Sequence, residues 1–272
     1  MRVISRFLSC VCFVAAGAMS AVAQSPVTPP VVAPPAPVTA APVTTGPIRV
    51  AVYDDKGSPR TPRDFERVFG SDKAHFALTF VTAAQIRDGV LKDFDVVVQG
   101  GGGAHEQAEQ LEPKGVDAIR EFVKNGGGYL GICAGAYLAS SDERYSLHIL
   151  NARVIDRAHW ARGRGDVVLG FTPAGQKEIG EKNTTETVMY HQGPLLAPMG
   201  KPDLPEYTEV AKFNTEIALK GAPHGVMPGT TALASAAYFK GRVFVISPHP
   251  EQTEGQEGLV RGALLWVAGR TP

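Results

Sequence analysis

The sequence is poor in cysteine, in net charge and in long apolar runs, and each shortage closes off a class of function. Only three cysteines occur in 272 residues, too few for a disulfide-stapled scaffold. Lysine plus arginine balance aspartate plus glutamate at 27 each, which leaves no electrostatic case for nucleic acid or an anionic membrane surface. The glycine run 100–103 has no Lys-Ser/Thr after it and is not a spaced G-x-G-x-x-G, which argues against a phosphate cradle there. No closely spaced histidine pair accompanies the cysteines, so the reading includes no metal and no cofactor. No internal repeat is visible.

What is present begins with an export signature. Arg2 and Arg6 precede an apolar run from Phe7 to Met19 that is too short to span a bilayer comfortably. Ala21-Val22-Ala23 then supplies the small-x-small pattern of a cleavage site. The expectation is a signal peptide over 1–23, no stable membrane span, and a secreted or periplasmic mature chain. Residues 24–47 are rich in Pro, Val, Ala and Thr and carry no charge, the composition of an extended tether. Residues 48–272 then form one domain. Cys10 and Cys12 leave with the signal peptide, so the mature chain keeps Cys133 alone. A lone thiol in an oxidising compartment is either buried or used.

The domain reads as strand, helix, strand, helix. Ile48 to Tyr53, Phe76 to Val81, Phe94 to Val98 and Tyr129 to Ile132 are short β-branched apolar runs, the profile of strands buried on both faces. Between them, helices are expected from a Thr61 N-cap with Pro62 at the first helical position to about Phe69, after a Thr82 cap, and from about Pro113 to Val123. Ala134 to Ala139 begins a further helix. Beyond Ser140, strands are expected at Val167 to Phe171, Thr187 to Tyr190, Glu209 to Phe213, Ala232 to Tyr238 and Val243 to Ile246. The last two are joined by a turn at Lys240-Gly241, and Leu259 to Ala268 closes the chain as a helix. The fold class is α/β, a three-layer sandwich around a mostly parallel sheet with right-handed crossovers.

Three short segments concentrate the chemistry. Gly131-Ile132-Cys133-Ala134-Gly135 sits between a predicted strand and a predicted helix, the context of a nucleophile elbow. That position lifts the thiol above the sheet's carboxyl edge and sets it at a helix N-terminus, which favours thiolate. Gln99 is followed by glycines 100 to 103, whose N–H groups are free of Cβ obstruction. Gly101 or Gly102, with Ala134, would make an oxyanion hole. Ser247-Pro248-His249-Pro250-Glu251 holds a histidine between two prolines, with a carboxylate placed to set its tautomer.

Together, in this order, the three segments resemble the class I glutamine amidotransferase-like superfamily, whose members carry a Gly-rich oxyanion strand, a G-x-C-x-G elbow and a C-terminal H-P-E. The closer similarity is to the family named for the N-terminal domain of biotin-protein ligase. It is carried by the glycine run from Gly100, by Gly128 to Tyr137, by Trp160 to Gly165 and by Tyr190 to Pro194. The resemblance implies a flavodoxin-like three-layer architecture over 48–272, with Tyr190 and Gln192 as substrate contacts and Tyr137 at the place where glutaminases often carry Gln. Trp160, Arg162 and Arg164 either line a pocket or form a solvated loop, and His191 is a substrate neighbour or a surface residue.

The expected function is a Cys-dependent amidohydrolase acting on a small amide or peptide-like substrate through Cys133, His249 and Glu251. A non-catalytic binding module that retains the fold is the alternative, and the oligomeric state is left open.

Overall fold

The computed structural model describes residues 46–272. The expected signal peptide and all but the last two residues of the expected tether lie outside them. Among the described residues no helix is long and apolar enough to cross a membrane.

Five parallel strands form the centre: β1 (Ile48–Tyr53), β2 (Phe76–Val81), β3 (Val96–Gln99), β4 (Gly128–Ile132) and, late in the chain, β11 (Gly241–Ile246). They lie in the order β2-β1-β3-β4-β11, and every neighbouring pair in this set is parallel. Alternation along each strand sends side chains to two cores. Val50, Val52, Val96, Val98, Leu130, Ile132, Phe244 and Ile246 face helices α1 (Thr61–Phe69) and α6 (Glu257–Val267). Ala51, Tyr53, Val97, Tyr129, Val243 and Val245 face α2 (Ala83–Arg87), α3 (Ala104–Lys124) and α4 (Ala134–Ala139). A strand covered on both sides has no polar face to show, which is why these runs read as continuously apolar. Each fully buried aliphatic or aromatic side chain contributes roughly 1.5–3 kcal/mol of transfer free energy.

The sheet continues as an antiparallel half. Strands β6 (Arg164–Phe171), β7 (Thr185–His191), β9 (Thr208–Phe213) and β10 (Thr231–Tyr238) extend it in the order β11-β10-β9-β6-β7. A short pair, β5 (Ala152–Ile155) and β8 (Leu195–Pro198), joins through β8 to β10. Helix α5 (Pro173–Ile179) packs on β9 and α6.

The expected strands and the three-layer arrangement are present, with four local differences. Helix α3 starts at Ala104, well before Pro113, and breaks at Glu112, whose φ of 56° separates its two parts. Pro113 therefore does open a helical segment, but a preceding one hides behind the glycine run. β5, β8 and α5 were not expected; the strands are only four residues long and the helix seven. The β10–β11 turn falls one residue early, at Phe239-Lys240, because Tyr238 pairs with Gly241. Thr61 is the first residue of α1, and Arg60 takes the N-cap position without a side-chain bond. Thr82, by contrast, forms the expected cap and a full capping box with Gln85.

Candidate active site

The carboxyl ends of β1, β3, β4 and β11 point to one edge of the sheet, the place where open α/β sheets build sites. Each feeds one wall of a cavity of about 550 Å³, lined among others by Thr61, Gly101, Cys133, Tyr137, His191 and His249.

Cys133 directly follows β4. Its N–H still bonds the Ile246 carbonyl of β11 at 2.8 Å, and its own carbonyl accepts from Ala136 and Tyr137 at the start of α4. The reversal between ladder and helix is made within one residue, so Cys133 adopts φ 51°, ψ −100°. Such a backbone costs of the order of 1–3 kcal/mol and is held here by the strand on one side and the helix on the other. The side chain is 6% exposed, open only to the cavity floor. Its thiol donates to the His191 carbonyl at 3.5 Å.

His249 follows β11 and is anchored by a 2.8 Å bond from its N–H to the Met189 carbonyl. Its Nδ1 lies 2.7 Å from Glu251 Oε1, with both side chains buried. An ionised carboxylate only accepts, so Nδ1 carries the hydrogen and Nε2 is left for Cys133. Burial by itself would lower the His249 pKa. The charges of Cys133 and Glu251, and hydrogen bonds to both, outweigh it and raise the value well above that of an ordinary imidazole. Gln252 Nε2 adds a 3.2 Å bond to the same Glu251 oxygen, and Arg67 of α1 holds the Glu251 carbonyl.

Gly101 is the spacer between these groups. A Cβ there would stand 2.6 Å from His249 Cε1 and 3.6 Å from Cys133 Cβ, so only hydrogen fits. Gly102, at φ 140°, lies so close to the Gly57 carbonyl that a side chain would meet it at 2.0 Å. The loop after β1 thus locks the glycine run, helped by Gly103 N–H and Gln107 Nε2, which both donate to that carbonyl. The amides of Gly101, Gly102 and Ala134 donate to no protein acceptor among the described residues.

The other expected residues divide. Tyr137 lines the cavity and donates to the Gln192 carbonyl at 3.3 Å, bridging α4 to the turn after β7; Gln192 lines the cavity too. Tyr190 does not. It is fully buried, stacks edge-on against Phe213, and its hydroxyl donates to the Gly193 carbonyl at 2.8 Å, so it is a core residue behind the site rather than a substrate contact. The period of two explains this, since His191 beside it turns to the opposite face. His191 is exposed in the cavity; burial, then the positive charges of His249, Arg164, Lys220 and Arg60, lower its pKa.

The segment between β5 and β6 contributes Arg157 and Trp160 to the cavity wall. Trp160, 56% exposed, and Arg164 line the cavity. Arg162 departs from both readings of that stretch: it is buried and paired with Asp156, with Nη1 unpartnered among the described residues. Arg60, Tyr145 and Gln252, which also reach the cavity, carry no signal of their own in the sequence, and Thr61 signals only the start of a helix. Among the described residues no cluster of three or more potential metal-ligating side chains occurs.

Residues 49–161 match the family model described as "Biotin-protein ligase, N terminal", a span that contains Cys133 and the glycine run but ends before His249. No curated protein matches by sequence. Among solved structures the chain is similar to one chain of PurLQS from Thermotoga maritima, at 16% identity and a TM-score of 0.59 over 82% of this chain and 99% of that one. It is also similar to a candidate GMP synthase component from Thermoplasma acidophilum, at 16% identity and a TM-score of 0.55 over 83% and 96% of the two chains. A β-galactosidase from Bacillus circulans sp. alkalophilus matches at 11% identity and a TM-score of 0.50, over 84% of this chain but 32% of that one. At such identities the likeness concerns the fold, which is of the glutamine amidotransferase type.

Proposed function

We propose that this protein is a Cys-dependent amidohydrolase acting on a small amide or peptide-like substrate, exported through a cleaved signal peptide over 1–23. The observation that carries the reading is the His249–Glu251 bond of 2.7 Å, made by an imidazole that also interacts with Cys133, with Gly101 flanking both residues. Base, orienter and nucleophile then form one unit.

In this reading His249 Nε2 takes the Cys133 proton, and the thiolate attacks the amide carbonyl. The amides of Ala134 and Gly101 stabilise the oxyanion, and Glu251 stabilises the imidazolium. His249 returns the proton to the leaving amine as the C–N bond breaks. Water, deprotonated by the same imidazole, then releases the acid and restores the thiol. The strained Cys133 backbone supports the reading, because strain of this kind is kept where it serves a purpose.

A second reading, a non-catalytic ligand-binding module, is favoured by the thiol's bond to the His191 carbonyl, a contact that suits a neutral sulfur. The fold likeness to part of a β-galactosidase is a reminder that this architecture alone assigns no chemistry. Mass spectrometry after incubation with a panel of activated esters and short peptides separates the two. An amidohydrolase accumulates an acyl adduct on Cys133 that the His249→Ala variant does not form. No adduct with any member of the panel supports the binding module.

A further inference from the structure

The cavity walls carry more positive charge than they neutralise. Three arginines line the cavity, Arg60, Arg157 and Arg164, against a single carboxylate, Glu143. Arg157 is already satisfied, 3.2 Å from Glu143 and paired with Asp142 as well. Arg60 has one loose partner, Asp64 at 3.7 Å. Arg164 makes no side-chain hydrogen bond or ion pair among the described residues.

The backbone puts this surplus beside the nucleophile. Arg164 begins β6 directly opposite His191, the last residue of β7. The His191 carbonyl in turn receives the Cys133 thiol. Arg60 immediately precedes α1, whose first residue, Thr61, packs against Gly100 in the glycine run. Burial is the first cause of the lowered His191 pKa, and the cations His249, Arg164, Lys220 and Arg60 around the same opening add to it.

We propose that the substrate is an amide bearing a carboxylate, such as a peptide-like compound with a free carboxyl end, and that Arg164 and Arg60 bind this group beside Cys133. The proposal rests on the amidohydrolase reading and narrows its substrate class. A guanidinium fork suits a carboxylate in a bidentate pair, and it remains charged at every working pH. A neutral substrate of the same shape would cover Arg164 without giving it a partner, so the site also discriminates against it. The volume of about 550 Å³ accommodates a compound of several amide units.

A pair of matched electrophiles tests it on the whole protein. Iodoacetate and iodoacetamide both alkylate a thiolate: an S–C bond forms, the C–I bond breaks and iodide leaves. They differ in carrying a carboxylate or an amide. The iodoacetate-to-iodoacetamide rate ratio at Cys133, divided by the same ratio for N-acetylcysteine, should exceed one by on the order of 10-fold at low salt and shrink as salt is added. It should fall toward one in Arg164→Gln, and partly in Arg60→Gln. A wild-type ratio at or below one, or a ratio that neither substitution moves, overturns the carboxylate site. The amidohydrolase reading fails separately, if iodoacetamide alkylates Cys133 no faster than it does N-acetylcysteine.

Discussion

Gly101 and His249 are in contact at a spacing that admits no side chain: a Cβ on Gly101 would lie 2.6 Å from His249 Cε1. The imidazole is tied through Nδ1 to Glu251 and both side chains are buried, so any shift of the ring strains that bond. Gly101→Ala should therefore displace the ring rather than unfold the chain. Misplacement of a catalytic group by about 1 Å costs on the order of 100-fold in rate. The expected outcome is a loss of that size in Cys133 acylation or alkylation, with a thermal midpoint close to wild type. An unchanged rate would show that the ring does not act on Cys133.

The charge state of His249 follows from its neighbours. Burial lowers its pKa, and Cys133 and Glu251 more than reverse this. Removing a negative neighbour must move the value down, so the imidazole should titrate at lower pH in Glu251→Gln and in Cys133→Ser than in wild type. NMR of the ring resonances reads this directly, against an unperturbed imidazole near pKa 6.5. Titration at the same pH in all three proteins would contradict the coupled unit.

Tyr190→Phe separates core from site. The substitution removes one buried bond, to the Gly193 carbonyl, and keeps the ring on Phe213. Denaturant unfolding should show a loss of about 1 kcal/mol, somewhat more if the carbonyl is left unsatisfied. Substrate saturation should not change.

Asp64 on α1 lies close enough to Glu251 and His249 to feel their charges, and burial raises its pKa before any of its neighbours acts. A carboxyl raised above its unfolded value, near 3.9, favours the folded state most at pH below that value. This contribution is lost as pH climbs through the folded value. Asp64→Asn does not titrate, so its stability relative to wild type should improve from pH 4 toward neutrality. A pH series of urea midpoints checks the slope, and a constant difference would mean that folding does not shift the Asp64 pKa.

Much of the scaffold could be read in the chain because burial on both faces leaves an unbroken apolar signature, as in Val96 to Val98 or Val243 to Ile246. The elbow and the His-Pro-Glu turn were legible for another reason, since strained or rigid backbone calls for particular residue types at fixed spacing. Tyr190 and Arg162 were not. Whether a tyrosine near a site faces the cavity or the core depends on strand register, and one residue decides it between Tyr190 and His191. Arg162 reads as a pocket-lining or solvated cation, yet it is buried and paired with Asp156 six residues earlier. The segment 104–111 escaped because its glycine-rich entry looks like a loop, and β5 and β8 because four residues carry too little pattern.

The claim that Cys133, His249 and Glu251 act as one unit is tested most directly by the pH dependence of iodoacetamide alkylation in wild type and His249→Ala. In wild type the rate should already exceed that of a free thiol well below its pKa of about 8.5, and His249→Ala should return the profile to the free-thiol curve. A wild-type profile that rises only near pH 8.5 and is untouched by His249→Ala would contradict it.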